Sequence, residues 1–327
     1  MVGIAAHSSG VVISARGRTA LTGCAVAASL FVALAFPGHA AEKLPECGQV
    51  TGDPDLAIKV CTRLIEFASL DKPELAKTYH TRGTEWANQG NHDRAIADYT
   101  MAIELEPKLA DAYYNRALSW SEKGEHDRAI ADYDATLQMS PRETRAHVGR
   151  AVELTAKGDY KRALADYESV IGIEPKNMSG YFGRGRVRFY SGDYMSAASD
   201  FIRAHQLDGS AYTALWLFLA RKRAEIPGER TLAAEAGTSG AGAWPAPIVG
   251  LYLGSTTPEA VMNAAAGGTA AEQRDRRCEA SFYIAQWHLL RNARDAAVPL
   301  LREAQKACPS AFMEHEGAVA ELRRLQQ

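Results

Sequence analysis

The sequence predicts an all-α protein built from repeated antiparallel helix pairs, and two observations support that prediction. First, four segments align without a gap at intervals of 34 residues, beginning at Ala76, Ala110, Thr144 and Met178. Second, each segment contains nearly the same core text: GNHDRAIADY, GEHDRAIADY, GDYKRALADY and GDYMSAASDF. With 327 residues, 46% of them hydrophobic, the chain is long enough to bury a sizeable core.

Each repeated position has a structural role in such a pair. Small residues allow close contact between the two helices of a pair: Gly83, Ala117, Ala151 and Gly185. Glycines end the first helix, because a residue without a Cβ tolerates the left-handed conformation: Gly90, Gly124, Gly158 and Gly192. The 34-residue period is typical of the tetratricopeptide repeat (TPR). We therefore predict a right-handed TPR superhelix with four repeats over residues 76–209.

An arginine and an aspartate recur in every repeat. The arginines fall in the first helix of each pair: Arg82, Arg116, Arg150 and Arg184. The aspartates fall in the second: Asp98, Asp132, Asp166 and Asp200. Because the two helices run antiparallel, these charges should meet mid-hairpin as a structural ladder. The alternative is a row of arginines that captures an anionic ligand.

Capping segments are predicted at both ends of the four repeats. Residues 41–75 form an N-terminal cap, in which Leu56 to Ile65 has the spacing of a half repeat and Asp53-Pro54 suits its start. Residues 210–277 contain an apolar capping helix from Ala211 to Ala224 and a connector at 227–243 rich in small and Gly/Pro residues. The segment Trp244 to Gly254 follows, and then a short helix from Pro258 to about Ala266.

A disguised TPR-like hairpin is predicted over residues 278–327. With Cys278 as its first residue, Ala285 takes the small position, Ala297 and Ala304 fall on the stripe of the second helix, and Pro309 stops that helix. We expect Pro299 to kink the second helix or to delay its start. The segment from Met313 to Leu325 reads as a final amphipathic helix.

The first forty residues have the pattern of an export signal. Two arginines precede the apolar run Ala20 to Phe36, and small residues at Gly38 and Ala40 suit cleavage after Ala40. We therefore expect secretion to a bacterial periplasm. The alternative is an uncleaved anchor, which would be the chain's only contact with a membrane.

Four cysteines remain after that cleavage, an even number that indicates disulfides in an exported chain. Cys47 lies just before the half-repeat helix and Cys61 inside it, so a local bridge would hold the N-terminal segment. Cys278 opens and Cys308 closes the last hairpin, whose two ends are neighbours. Of three connectivities, these positions favour 47–61 and 278–308.

Neither an enzyme nor a nucleic-acid-binding protein is indicated. The net charge of −2 gives no basic footprint for nucleic acid. No phosphate loop, GxSxG or HExxH motif occurs, so we predict no catalytic residue, no metal site and no cofactor. His315, between Glu314 and Glu316, should lie on a solvated surface.

The concave face of a TPR superhelix is built mainly from first-helix residues, and it is the predicted partner-binding groove. By repeat register it contains Tyr114, Leu118, Val148, Val152, Phe182, Arg186, Phe189 and Tyr190. This groove suits an amphipathic helix or extended peptide, with Arg186 available to an acidic side chain. Alternatively, the chain's own C-terminal helix or a second protomer fills it. A clamp for a terminal carboxylate is poorly represented, since Asn115 and Arg145 fit but His80 and Thr84 do not.

The C-terminal third resembles the NlpI-type TPR proteins of the bacterial envelope. The resemblance lies in WPAPIVGLYLG (Trp244 to Gly254), Ser281-Phe282-Tyr283, DAAVPLLREA (Asp295 to Ala304) and FMEHE (Phe312 to Glu316). It implies a homodimeric adaptor that scaffolds peptidoglycan endopeptidases and brings them to an envelope protease. The sequence departs from that family in lacking a convincing lipobox and in carrying two cysteine pairs.

Two functions of different class are consistent with these patterns. The first is a non-catalytic periplasmic scaffold or adaptor that binds other proteins and recruits peptidoglycan hydrolases or an envelope protease. The alternative is a structural TPR subunit that associates with itself within an envelope complex.

Overall fold

The computed structural model describes residues 47–49, 52–226, 229–236, 244–309 and 312–326. The predicted signal peptide at 1–40, with its cleavage point after Ala40, lies outside the described residues. Within them the chain is helical, and none of the described segments forms a β-strand. No helix in these ranges is both long and apolar enough to cross a membrane.

The helices follow one another in antiparallel pairs after a 3₁₀ turn at Cys47–Gln49. Their bounds are α1 Pro54–Phe67, α2 Lys72–Asn88, α3 His92–Leu105, α4 Ala110–Glu122, α5 His126–Met139, α6 Thr144–Lys157, α7 Tyr160–Ile173, α8 Met178–Tyr190, α9 Tyr194–Asp208, α10 Ala211–Arg223, α11 Glu229–Glu235, α12 Ala246–Leu253, α13 Pro258–Ala265, α14 Ala270–Leu289, α15 Arg294–Ala307 and α16 Met313–Gln326.

The pairs α2/α3, α4/α5, α6/α7 and α8/α9 fall on the four predicted repeats, although α2 begins at Lys72, before the predicted start at Ala76. Each first helix is followed by its predicted glycine in the left-handed region, with φ of 75°, 71°, 84° and 88° from the first repeat to the fourth. The pairs pack closely through small residues. A Cβ at position 185 would lie 2.8 Å from the Phe201 ring, so Gly185 is required there.

A further helix packs at each end of the array. Helix α1 begins with Asp53 as its N-cap, whose side chain accepts a hydrogen bond from the Leu56 amide. Helix α10 covers the fourth repeat with nine consecutive buried residues, from Tyr212 to Ala220. The all-helical fold of stacked antiparallel pairs is therefore confirmed.

The largest part of the core lies around α10 rather than within the first repeats. Trp216 is fully buried, and its ring centroid lies 5.5 to 6.2 Å from five neighbouring rings: those of Phe182, Phe189, Tyr190, Phe201 and Phe282. Because these rings come from α8, α9 and α14, the fourth repeat and the C-terminal hairpin share one core.

Two details of the C-terminal prediction were wrong. Helix α14 begins at Ala270, eight residues before Cys278, because Thr269 and Glu272 form a capping box there. Helix α15 already begins at Arg294 and continues through Pro299, which loses only one hydrogen bond near the helix start. Within the predicted connector at 227–243, Glu229–Glu235 form the short helix α11.

Both predicted disulfides are confirmed. Cys47 and Cys61 join the 3₁₀ turn to α1, with Cα atoms 4.9 Å apart. Cys278 and Cys308 join α14 to the end of α15, with Cα atoms 5.0 Å apart. Cys278 lies inside α14 rather than at its start, because α14 extends beyond its partner helix.

Candidate protein-binding groove

The repeated arginines and aspartates form the structural ladder. Arg116 donates from Nε and Nη2 to both carboxylate oxygens of Asp132, each at 2.8 Å, and from Nη1 to Thr100 of the preceding repeat at 2.9 Å. Its hydrogen bond to Asp132 raises the arginine pKa, so the charge is permanent. Arg82 pairs in the same way with Asp98. These arginines are therefore committed to structure rather than to an anionic ligand.

The other two arginines of the ladder each pair with the aspartate of their own repeat, at the same spacing in sequence as Arg116 and Asp132. Arg150 donates to Asp166 and also to Asp134 of the preceding repeat, at 2.6 Å. Arg184 donates to both carboxylate oxygens of Asp200, and Arg188 donates to Asp200 Oδ2 as well, at 2.8 Å. The ladder thus links helices within repeats and, in the first three, links each repeat to the helix before it.

The concave face is divided into two halves, and the first half is open. Leu118 of α4, together with Val148 and Val152 of α6, is half-buried there. These three predicted groove residues form an apolar strip on the second and third repeats. Such partly exposed apolar side chains can gain burial when a partner docks.

Polar groups border this open half. Asn115 Nδ2 donates to His80 Nε2 at 2.9 Å, and burial lowers the His80 pKa despite the opposing charge of Asp111. His80 is therefore neutral at pH 7. Tyr114, predicted to line the groove, is only 6% exposed, because the Arg145 guanidinium lies 4.9 Å from its ring centroid. A partner would meet Arg145 before it met the ring.

Helix α16 covers the second half of the concave face. The predicted groove residues Phe182, Arg186, Phe189 and Tyr190 are all buried, Phe182 and Phe189 against Trp216 of α10 and the other two against α16. Arg186 Nη1 donates to Glu316 Oε2 at 2.8 Å, and the Tyr190 hydroxyl reaches the Met313 carbonyl at 3.5 Å. The sequence left open whether the chain's own C-terminal helix fills the groove, and in the structure it does so at the fourth repeat.

Further contacts hold α16 across the superhelix. Arg323 donates to the Ala156 carbonyl at the end of α6, at 3.2 Å, and Glu321 accepts from Arg223 at 3.1 Å. Gly317 fits against Phe282, since a Cβ at this position would lie 2.7 Å from the ring. The helix therefore contacts α6 and α8 at one face and α14 at another.

A buried carboxylate marks the boundary between the two halves. Glu153 of α6 accepts hydrogen bonds from the Ser121 hydroxyl and from His126 Nδ1, the latter at 2.6 Å. The bond to Glu153 raises the His126 pKa, whereas burial opposes it. This cluster bridges the second and third repeats beside the N-terminal end of α16, since Glu153 also raises the Glu316 pKa.

The prediction for His315 was wrong about its neighbours. Glu314 and Glu316 are buried rather than solvated, and His315 is half-buried, because α16 turns its glutamates towards α8 and α14. Burial, with a smaller contribution from Glu279, raises the Glu314 pKa to about 8. Among the described residues, no group of three or more His, Cys, Asp or Glu side chains could hold a metal ion.

Sequence reasoning missed Arg223, Glu321 and Glu153 as parts of this site. They fall outside the repeated charge positions, and their contacts span from 27 to 98 residues along the chain. No local pattern signals such contacts, because they depend on the curvature of the complete superhelix.

Comparison with known proteins agrees with the repeat assignment. The tetratricopeptide repeat family model matches residues 81–144 and 121–177. A search of curated proteins found no significant match. Among solved structures, the C-terminal part of a TPR repeat-containing protein from Cytophaga hutchinsonii is 18% identical, with a TM-score of 0.48 over 81% of this chain and 94% of that one.

Two further solved structures are similar over about half of this chain. YrrB, described as a TPR protein with an unusual peptide-binding site, is 19% identical over 55% of this chain and 91% of its own, with a TM-score of 0.47. MamA from Desulfovibrio magneticus RS-1 is 16% identical over 48% of this chain and 86% of its own, with a TM-score of 0.45. Residues 81–177, which lie within the array of stacked helix pairs, thus match the tetratricopeptide repeat.

Proposed function

We propose that this protein is a non-catalytic scaffold that binds segments of other proteins in the open half of its concave groove. The observation that carries the proposal is the apolar strip of Leu118, Val148 and Val152, which α16 leaves half-buried while it covers the fourth repeat. Arg145 and the neutral His80 give the strip a polar border that can orient a bound segment.

The chemistry of the groove favours a helix or extended peptide with an apolar face. The strip supplies three aliphatic side chains from two adjacent helices, so a partner residue could insert between them. Proteins are favoured over nucleic acids as partners, because the chain's net charge of −2 gives no electrostatic attraction for phosphates.

We further propose a periplasmic location and an adaptor role. The two disulfides support an oxidising compartment. The resemblance of the C-terminal third to NlpI-type proteins supports recruitment of peptidoglycan hydrolases or of an envelope protease. The same resemblance supports a homodimer. These finer assignments rest on the sequence patterns and are tested by recovery of the partners.

Affinity purification from the cell envelope of the native host tests the proposal. We expect Leu118→Lys and Val148→Lys to reduce recovery of partner proteins at least tenfold. The matched control is Ile202→Lys, which adds the same charge on α9 at an exposed apolar side chain away from the groove. Circular dichroism confirms that each variant is folded.

Two results would contradict the scaffold. Undiminished recovery with both groove variants would show that the strip is not the binding surface. Recovery of this chain alone, with groove variants that only change its oligomeric state, would favour the self-associating structural subunit instead.

A further inference from the structure

Helix α16 docks into the fourth repeat through an unusually polar face. Its buried residues include three glutamates, Glu314, Glu316 and Glu321, beside Gly317 and small alanines. A helix that caps a solenoid permanently would normally bury an apolar stripe. The contact surface of α16 instead adds three carboxylates to the apolar contacts of Met313 and Leu322, so its attachment depends partly on charge.

Two of the three glutamates have a cation partner. Glu316 pairs with Arg186 at 2.8 Å. Glu321 pairs with Arg223 at 3.1 Å and with Arg324 at 2.7 Å. These charge-assisted pairs join α16 to α8 and to α10.

Glu314 has no such cation at hydrogen-bond distance. It is 3% exposed, and its Oε1 has no hydrogen-bond partner within the described part of the chain. A buried carboxylate of this kind is stable only when it carries a proton. The docked position of α16 therefore requires Glu314 to be neutral.

The ionisable groups that act on Glu314 come from α8 and α14. Helix α14 supplies Glu279, which raises the Glu314 pKa, and the Tyr283 hydroxyl, which lowers it. Helix α8 supplies Arg186, which also lowers it but is already paired with Glu316. Burial exceeds these effects and holds the Glu314 pKa at about 8.

Helix α10 contributes through Glu279. The Tyr212 hydroxyl donates to Glu279 Oε2 at 2.6 Å, and Trp244 Nε1 donates to the same oxygen at 2.8 Å. Both donors therefore bond to Glu279 and hold the Glu279 carboxylate beside Glu314. Two acidic groups thus share one buried pocket, and a second negative charge there is unfavourable.

Other atoms of the interface are also incompletely bonded. Arg186 Nε, Arg223 Nε and Glu316 Oε1 are buried and have no partner among the residues that the structure describes. Unmade hydrogen bonds of buried polar groups weaken an interface. The docking of α16 is therefore less favourable than its depth of burial suggests.

We propose that α16 is a reversible plug of the fourth-repeat groove, released when Glu314 loses its proton. Release would expose Arg186 and Tyr190, which contact α16, as a continuation of the open strip. Binding of a partner to this exposed surface rests on the proposed function. The release of α16 does not rest on it.

The direction of the pH dependence follows from the two states. In the released helix, Glu314 is in water and ionises near its ordinary pKa of about 4.3. In the docked helix its pKa is about 8. Docking is therefore strongest below about pH 4.3, weakens roughly tenfold per pH unit as the pH rises, and levels off above about pH 8. Burial lowers the His315 pKa, so that ring titrates below its ordinary range.

Hydrogen-exchange mass spectrometry between pH 6 and 9 tests the proposal on the whole protein without any partner. After correction for intrinsic exchange, we expect protection of residues 313–326 and 181–190 to fall about tenfold per pH unit between pH 6 and 8. Glu314→Gln, which is neutral at every pH, should abolish this slope. Glu303→Gln on α15 is the matched control, because Glu303 pairs with Arg277 at the surface and should keep the wild-type slope.

Three outcomes would overturn the plug. Protection of α16 in the wild type could be flat across pH 6 to 9. The slope could persist in Glu314→Gln, so that another group would be responsible. Finally, α2 to α5 could lose protection in parallel with α16, which would mean global unfolding. The hydrogen-exchange results do not depend on whether partner proteins are recovered with the open strip. The scaffold proposal and the plug proposal can therefore be contradicted independently.

Discussion

Arg186 and Glu316 lie 130 residues apart in sequence and form an ion pair of 2.8 Å, with side chains only 10% and 7% exposed. This pair joins the middle of the fourth repeat to the last helix of the chain. The pair explains why half of the concave face is covered. Arg186, which the repeat register places in the groove, is therefore part of an internal contact.

Removing one member of this pair should be strongly destabilising. Arg186→Met leaves Glu316 buried without its counter-charge, and we expect it to lower the free energy of unfolding by about 3–5 kcal/mol at pH 8. Urea denaturation of both single variants and of Arg186→Met/Glu316→Gln measures the coupling. The double variant should lose less than the sum of the singles.

The deficit of Arg186→Met should also depend on pH. Burial raises the Glu316 pKa, so the unpaired carboxylate takes up a proton more readily than one in water. We therefore expect the deficit to shrink between pH 8 and pH 5.5. An equal deficit at both pH values, or strict additivity of the two substitutions, would argue against a coupled buried pair.

The arginine ladder should contribute more to stability than arginines at the surface. Arg116→Ala leaves the buried Asp132 unpaired and should lower the free energy of unfolding by about 2–4 kcal/mol. Arg128→Ala removes an arginine that is mostly exposed and should change it by about 1 kcal/mol at most. Chemical denaturation compares the two; similar losses would show that the ladder has no special role.

The glycines within helices should respond to alanine in opposite ways. At Gly183 a Cβ would lie 2.2 Å from the Tyr167 ring, so Gly183→Ala should cost roughly 1–3 kcal/mol of unfolding free energy. At Gly172 nothing lies within 4 Å, so Gly172→Ala should add about 0.5–1 kcal/mol by favouring the helix. Thermal denaturation distinguishes these results, and equal changes would contradict the close packing of α8 against Tyr167 of α7.

The Cys278–Cys308 bridge should stabilise the C-terminal hairpin. Its loss in Cys278→Ala/Cys308→Ala should lower the free energy of unfolding by about 2–4 kcal/mol, because the bridge closes a loop of 30 residues in the unfolded chain. Mass spectrometry of unreduced peptides checks the pairing in the wild type. Recovery of a 47–278 or 61–308 crosslink would contradict the fold of both ends.

The features that the sequence predicted well are local and repeated. The glycine after each first helix and the pairing of Arg116 with Asp132 depend on contacts within one helix pair, and four copies report the same geometry. The disulfides were predictable for the same reason, since each joins neighbouring elements. Short-range contacts of this kind follow from helix geometry alone.

The closed half of the groove could not be predicted in the same way. Its location depends on how the superhelix brings α16 next to α6 and α8. That position is the sum of small rotations between successive repeats. Glu314 and Glu316 read as polar surface residues, because burial of a carboxylate leaves no mark in the sequence. The early start of α14 was indicated by Thr269 and Glu272, but the register of the repeat obscured that capping box.

Site-specific photo-crosslinking tests the divided groove most directly. Benzoylphenylalanine is placed at Leu118 in the open half and, in a second variant, at Tyr190, whose hydroxyl reaches the Met313 carbonyl of α16. We expect partner proteins to crosslink at position 118 and only an intrachain product with residues 313–326 to form at position 190. Partner crosslinks at 190 with none at 118 would contradict the account, because the binding surface would then be the one that the last helix covers.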